Sequence, residues 1–177
     1  MSGQIEASTA LVALGANMPF GALEGPALLG AALVGINGAG LRVLSQSGVW
    51  RTEAWPAGSG QPDYFNAVVQ LGVGRMSPTD LYGELEIIER RFGRERRERW
   101  AARTLDLDIL TMDRYVGEFG GVILPHPRMT ERAFVLAPLT EVAPNWRHAQ
   151  TGLRAAALLG ALPVQSRYER VGDIPAP

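Results

Sequence analysis

Short apolar blocks alternate with Gly- and Pro-rich breaks along this chain, and the blocks change period. Residues 10–14, ALVAL, are uninterruptedly apolar and are closed by Gly15-Ala16-Asn17, which predicts a buried strand. Residues 22–36 are rich in Ala and Leu and predict a buried helix in spite of Pro26, with a stop at Gly38-Ala39-Gly40. Leu41 to Trp50 reads as a strand of mixed pattern, and residues 53–63, EAWPAGSGQPD, as a loop long enough to suggest a role of its own. Tyr64 to Val73 alternates. Phe65, Ala67, Val69 and Leu71 fall on one face, with Tyr64, Asn66 and Val68 on the other. Ser77-Pro78-Thr79-Asp80 is a helix start, with Ser77 as cap and Asp80 as its acidic partner. Leu81, Leu85 and Ile88 then recur at helical spacing to about Arg91.

Beyond it lie an Arg-rich loop over 92–104, a strand from Leu105 to Met112, and a segment Val116 to Leu124 expected to pair with that strand after a turn at 112–115. Pro125-His126-Pro127 is a rigid kink. Thr130 is expected to cap a helix holding Phe134, Leu136 and Leu139, and residues 152–160 to form a last short helix. The order β α β β α β β α favours an α+β fold, an antiparallel sheet with helices packed on it, over a doubly wound parallel sheet. We expect one domain over 10–171, between flexible tails at 1–9 and 172–177.

Composition narrows the chemistry. The chain has 177 residues, 46% hydrophobic and 20% charged, with formal net charge −1, so any binding of polyanions must be local. Cysteine is absent, which excludes thiolate metal sites and leaves oxygen or His ligands. Lysine is absent too, so no Walker-type or Schiff-base lysine can exist here. The most apolar helical stretch, Ala27 to Ile36, is too short for a bilayer, and MSGQIEAST lacks the layout of a signal peptide. A cytoplasmic protein that binds neither membrane nor nucleic acid is the expectation.

Candidate chemistry concentrates in residues 94–110, RERRERWAARTLDLDIL. Asp106 and Asp108 share one face of a strand, roughly 7 Å apart by the strand rise, while Leu105, Leu107 and Ile109 point into the core. Two like charges on one face repel unless a cation lies between them, and an all-oxygen site favours Mg2+ or Mn2+. The competing reading is a solvated strand face. Arg94, Arg96, Arg97, Arg99 and Arg103 match phosphate oxygens as a clamp, or else form a solvated loop neutralised by Glu95 and Glu98. Trp100, Trp55, Tyr64, Asn66 and Phe134 could sandwich a flat ring, with Asn66 reading a ring amide through one donor and one acceptor. Each aromatic taken alone is better read as core packing than as ligand-binding. His126 could donate to a phosphate. Gly15-Ala16-Asn17 sits where a phosphate turn would, but lacks the full G-x-G-x-x-G.

These segments, taken in order, are specific. Arg103-Thr104-Leu105-Asp106-Leu107-Asp108-Ile109, preceded by Arg99-Trp100, resembles the signature of the 6-hydroxymethyl-7,8-dihydropterin pyrophosphokinase family. Leu14-Gly15-Ala16-Asn17 resembles its opening element. Arg51-Thr52 with Gln61-Pro62-Asp63-Tyr64-Phe65-Asn66 resembles its second, and Glu89 with Gly93-Arg94 matches the end of its second helix. Pro125-His126-Pro127-Arg128-Met129 and Arg132-Ala133-Phe134-Val135-Leu136 resemble its last. The likeness runs from about residue 10 to 160.

That resemblance implies a ferredoxin-like α+β fold and transfer of the pyrophosphoryl group of ATP to the hydroxymethyl oxygen of the pterin, releasing AMP. It implies that Asp106 and Asp108 hold two Mg2+ ions, and that Arg94 and Arg103 bind phosphates, with Arg96 and Arg97 beside them on ATP. His126 and Arg132 would also contact ATP, with Glu89 near the nucleotide. Thr52, Tyr64, Asn66, Trp100 and Phe134 would form the pterin pocket, Trp100 and Phe134 stacking on the two ring faces. ATP and hydroxymethyldihydropterin are the implied partners of a monomer or weak dimer. Two departures stand out: Ala16 where the family has Ser, and Glu53-Ala54-Trp55 in the loop beside the pocket. A polyanion-docking module and an inactive paralogue are the alternatives. The aspartate pair and net charge −1 oppose the first, and the intact Asn66, Arg103, Asp106 and Asp108 oppose the second.

Overall fold

The computed structural model describes residues 8–54, 60–94, 104–163 and 167–176. Strand β1 (Ser8–Ala16) turns Val12 and Leu14 toward the layer of helix α1 (Gly25–Gly38) and Leu11 to the opposite face. That helix starts at Gly25 rather than 22 because Pro26, which has no N–H to donate, fits the first turn. β2 (Arg42–Gln46) and β3 (Val49–Thr52) run along the same side of β4 (Tyr64–Gly74), so the expected 41–50 strand is broken at Ser47-Gly48. α2 (Pro78–Arg91) opens with the capping box read from the sequence. Ser77 Oγ accepts from Asp80 N–H at 3.2 Å, and Asp80 accepts from Ser77 N–H at 3.0 Å. Such a cap contributes about 1 kcal/mol.

β5 (Asp106–Met112) follows, then a hairpin of β6 (Gly117–Phe119) and β7 (Val122–Leu124). This hairpin corrects the expectation of a single 116–124 strand on β5. Gly120 and Gly121 both take positive φ, 57° and 91°, and turn the segment back on itself. The cap of α3 (Ala133–Val142) also differs: Thr130 lies inside a 3-10 turn over Met129–Glu131, and Arg132 is the N-cap. α4 (Ala155–Ala161) and β8 (Tyr168–Gly172) complete the chain.

The sheet order is β5-β1-β4-β3-β8, with β2 also on β4, and every described pairing is antiparallel. With β2 and β3 as one interrupted strand, β1 to β5 form the βαββαβ arrangement of a ferredoxin-like fold, extended by β8. α1 and α2 cover one face around Leu28, Ile36, Leu85, Ile88 and Leu107; α3 and α4 cover part of the other around Leu11, Val68, Leu110, Leu136 and Leu158. Alternation in β4 and β5 sorts side chains between the layers as the sequence indicates. The expected tail at 172–177 is not free at its start. Gly172 ends β8, Ile174 is buried, and the Pro175 carbonyl lies so close to α1 that a Cβ on Gly30 would come within 2.6 Å of it. At the other end, Ser8 and Thr9 already belong to β1.

Candidate active site

Register brings together residues far apart in sequence. Gly15 on β1 stands opposite Asn66 on β4 and opposite Asp106 on β5, and Asn66 stands opposite Trp50 on β3. Directly opposed residues share a face, so Asp106, Gly15, Asn66 and Trp50 form one row across the sheet on the side of α3. Two strand spacings put Asp106 and Asn66 about 10 Å apart. Gly15 between them contributes no side chain, and the row has a gap there. A Cβ at Gly15 would sit 3.4 Å from Asn66 Oδ1, so the amide oxygen faces that gap.

The acidic end is built by α2 and β5. Asp106 and Asp108 are half-buried on the row's face, while Leu107 and Ile109 enter the core, as their spacing requires. Arg94, just past the end of α2, lies 2.8 Å from Asp106 and also pairs with Glu89. Glu89 is 4% exposed and accepts the Leu107 N–H at 2.6 Å, which ties the end of α2 to the start of β5. Burial pushes its carboxyl up to about 7, against the opposing pull of the Leu107 N–H and Arg94. Arg132, at the start of α3, approaches Asp108 at 3.9 Å and lies 5.7 Å from the centre of the Phe134 ring. His126 gives its N–H to Leu110 O at 2.8 Å, which fixes it beside β5. Its Nδ1 accepts the Arg128 N–H at 3.1 Å, so Nε2 carries the proton and can donate. Burial, and then Arg132 nearby, hold the imidazole below its usual range and therefore neutral at pH 7.

The aspartate pair fits a hard divalent cation. Its donors are carboxylate oxygens on one face of β5, half-buried beside Arg94 and Arg132, and among the described residues no third His, Asp or Glu completes an all-protein cage. Mg2+ held by one or two carboxylates takes its remaining ligands from water and phosphate.

At the other end, Asn66 is 5% exposed. Its Nδ2 donates to Thr52 Oγ1 at 3.0 Å and to the Trp50 carbonyl at 3.4 Å. The structure thus corrects the expectation that Asn66 offers a donor and an acceptor together: its donors hold β3, and its oxygen points to the gap. Tyr64, opposite Thr52, and Phe134 are half-buried at the rim. Asn17 Nδ2 reaches Pro62 O at 3.4 Å and ties the end of the 53–63 loop to β1. Arg96, Arg97, Trp100 and Arg103 lie outside the described residues. Of the expected site residues, the structure gathers Asp106, Asp108, Arg94, Glu89, His126 and Arg132 at one end and Thr52, Tyr64 and Asn66 at the other. Gly15-Ala16-Asn17 stood out in the sequence only as a phosphate-like turn, and the place of Gly15 between Asn66 and Asp106 follows from strand register alone.

A cavity of about 580 Å³ opens elsewhere, lined by Thr9, Met112, Arg114 and Trp146 among others. It sits six residues along β1 from Gly15, roughly 20 Å away, and contains none of this chemistry.

Fold and site together define a ferredoxin-like domain whose sheet carries an acidic, arginine-flanked end and an amide-bearing end. The family model described as 7,8-dihydro-6-hydroxymethylpterin-pyrophosphokinase (HPPK) matches residues 11–144, and the chain belongs to that family. It is 43% identical over 114 residues to a Synechocystis 2-amino-4-hydroxy-6-hydroxymethyldihydropteridine pyrophosphokinase, covering 64% of this chain and 57% of that protein. A Bacillus subtilis protein of the same name is 40% identical over 105 residues, covering 59% of this chain and 61% of the relative. The matches thus span about three fifths of these relatives' length. Among solved structures, wild-type Plasmodium falciparum HPPK-DHPS with SDX-DHP superposes with a TM-score of 0.64 at 11% identity, over 86% of this chain and 44% of that one. That likeness supports the fold.

Proposed function

We propose that this protein transfers the pyrophosphoryl group of ATP to the hydroxymethyl oxygen of 6-hydroxymethyl-7,8-dihydropterin, giving the pterin diphosphate and AMP, in folate biosynthesis. The observation that carries this reading is the row Asp106–Gly15–Asn66, where the Asn66 amide and the Asp106 carboxylate face one gap about 10 Å across. A bicyclic pterin laid on Gly15 would meet Asn66 Oδ1 with a ring N–H and direct its hydroxymethyl arm toward Asp106. Thr52 and Tyr64 border the ring, and Phe134, with Trp100, supplies its stacking faces.

Asp106 and Asp108 would hold two Mg2+ ions brought in with ATP, whose chemistry is to neutralise the phosphate oxygens. Arg94, held by Glu89, aims a guanidinium at the same place, with Arg103, Arg96 and Arg97 as its partners on the phosphates. Arg132 and the Nε2 proton of His126 extend this donor set toward the nucleotide. The pterin oxygen bonds to the β-phosphorus as the α,β bridge breaks. AMP leaves with the bridging oxygen, and the hydroxyl proton passes to solvent. Positioning and charge neutralisation dominate such transfers, which suits a site with no strong nucleophile of its own. We further propose a cytoplasmic monomer or weak dimer acting on these two small molecules, without nucleic acid or membrane. Among the described residues no helix is long and apolar enough to cross a bilayer.

The test is metal-dependent turnover. Asp106→Ala and Asp108→Ala should each lose about three decades or more; near-normal turnover in either would remove the metal assignment.

A further inference from the structure

Glu141, in the last turn of α3, takes no part in the site as built so far, yet its carboxylate gathers three separate groups. Oε2 accepts the Gly48 N–H at 2.9 Å, and Oε1 accepts the Trp50 indole N–H at 2.6 Å. Arg170 Nε, from β8, lies 3.4 Å from both oxygens. These contacts coincide with the break between β2 and β3. Gln46 pairs with Val69, but the ladder resumes only at Trp50 opposite Asn66. At the break, Ser47 N–H still bonds Val68 O at 2.9 Å. Its hydroxyl accepts the Val68 N–H at 3.0 Å and donates to the Gly48 carbonyl at 2.7 Å. Gly48 N–H is turned away from β4, and Glu141 takes it. Arg170 lies directly against Gly48, where a Cβ would come within 2.5 Å of the guanidinium. Downstream of the break, β3 presents both acceptors that orient Asn66: the Trp50 carbonyl and Thr52 Oγ1.

We propose that Glu141 is a positioning residue for the pterin end of the site: it fixes the path of β3 out of the break, and through β3 the direction of the Asn66 amide. This inference rests on the proposed reading of Asn66 as the group that meets the pterin ring. The geometry separates positioning from mere stability. Glu141 and Arg170 form an exposed ion pair, with side chains 29% and 43% accessible, of a kind that contributes little to folding. The two N–H donors on the carboxylate are instead directional and charge-assisted, and both belong to the segment that aims Asn66. A small displacement of a positioning shell costs far more in substrate recognition than in folding.

The experiment compares Glu141→Gln, Trp50→Phe and Arg170→Gln in the full-length protein, with AMP release, separate KM values for hydroxymethyldihydropterin and ATP, and the melting temperature. Glu141→Gln keeps the shape but turns an amide N–H against one of the two donors. Its pterin KM should rise about tenfold, a change worth about 1.4 kcal/mol, while kcat at saturation and the ATP KM stay within about twofold. Trp50→Phe removes the indole donor alone and should raise the pterin KM in the same selective way, by a smaller factor. Arg170→Gln leaves both N–H contacts intact and should keep the wild-type pterin KM. An unchanged pterin KM in Glu141→Gln, a matching rise in its ATP KM, or an equal effect in Arg170→Gln would each overturn the proposal. Should Glu141→Gln fail to fold, Trp50→Phe decides it by the same criterion. Wild-type protein that makes no AMP from this pterin would overturn the enzymatic reading itself; active wild type with an indifferent Glu141→Gln overturns only the positioning role.

Discussion

Replacing Gly15 by Ala separates the stability of the sheet from the space above it. Gly15 is not among the glycines with positive φ, so an alanine there meets no backbone penalty. Its methyl would lie 3.4 Å from Asn66 Oδ1, in van der Waals contact, on the face that also carries Asp106. Losing a glycine from a strand interior should stabilise the fold by about 0.5–1 kcal/mol through the unfolded chain. In a domain of this size that raises the melting temperature by a few degrees at most, at about 2–4 °C per kcal/mol. The same methyl fills the gap and screens the Asn66 oxygen. One methyl in a fitted pocket is worth about 1–3 kcal/mol, or roughly 10–200-fold in discrimination. Titration calorimetry with hydroxymethyldihydropterin and, separately, with ATP would read this beside a thermal melt. The expected result is a protein at least as stable as wild type, with pterin affinity down tenfold or more and ATP affinity within a few-fold. Unchanged pterin affinity in a well-folded variant would refute the placement of the ring over Gly15.

Two further substitutions probe the ends of the row. Asn66→Ala strands the Trp50 carbonyl and Thr52 hydroxyl and should cost about 1–3 kcal/mol of stability. It should also weaken pterin binding at least tenfold with ATP binding largely kept; equal loss of both would undo the division into two ends. Glu89 gives a pH signature in the metal-free protein. Its folded-state carboxyl titrates at about 7, above its ordinary 4.5. Between those values the folded state holds a proton that the unfolded chain has released. Stability therefore falls as pH rises from about 4.5 to 7 and levels off above, by at most about 3 kcal/mol. Urea melts across this range should flatten in Glu89→Gln, and an identical slope in both proteins would show that another group sets it.

Local patterns made much of this molecule legible. The period-2 alternation of Tyr64 to Val73 and of Leu105 to Ile109 assigned side chains to the two layers, because burial on one face leaves a strand no other register. The capping box at Ser77-Asp80 announced α2 through chemistry contained in four residues. The misses have physical causes too. β8, YERVG, is exposed over most of its length and leaves no alternating signal; it exists because β3 offers it an edge. The β6–β7 hairpin turns on a Gly-Gly pair inside a segment otherwise read as one strand. Thr130 has the chemistry of a cap, yet it lies inside the 3-10 turn closed by Arg132 N–H on Met129 O, and the cap passes to Arg132. At the site, the aspartate pair was visible as D-x-D, whereas the place of Gly15 between Asn66 and Asp106 required the register of three strands. Glu89 could be placed at the end of a helix from sequence, but its burial between Arg94 and Leu107 N–H could not.

The decisive measurement is the identity of the nucleotide product. Protein, ATP, Mg2+ and 6-hydroxymethyl-7,8-dihydropterin are combined, and the mixture is followed by phosphorus NMR. Pyrophosphoryl transfer predicts AMP and a pterin diphosphate in equal amounts, and unchanged ATP with neither product when pterin or Mg2+ is withheld. Formation of ADP with a pterin monophosphate, or no consumption of ATP at all, would contradict it.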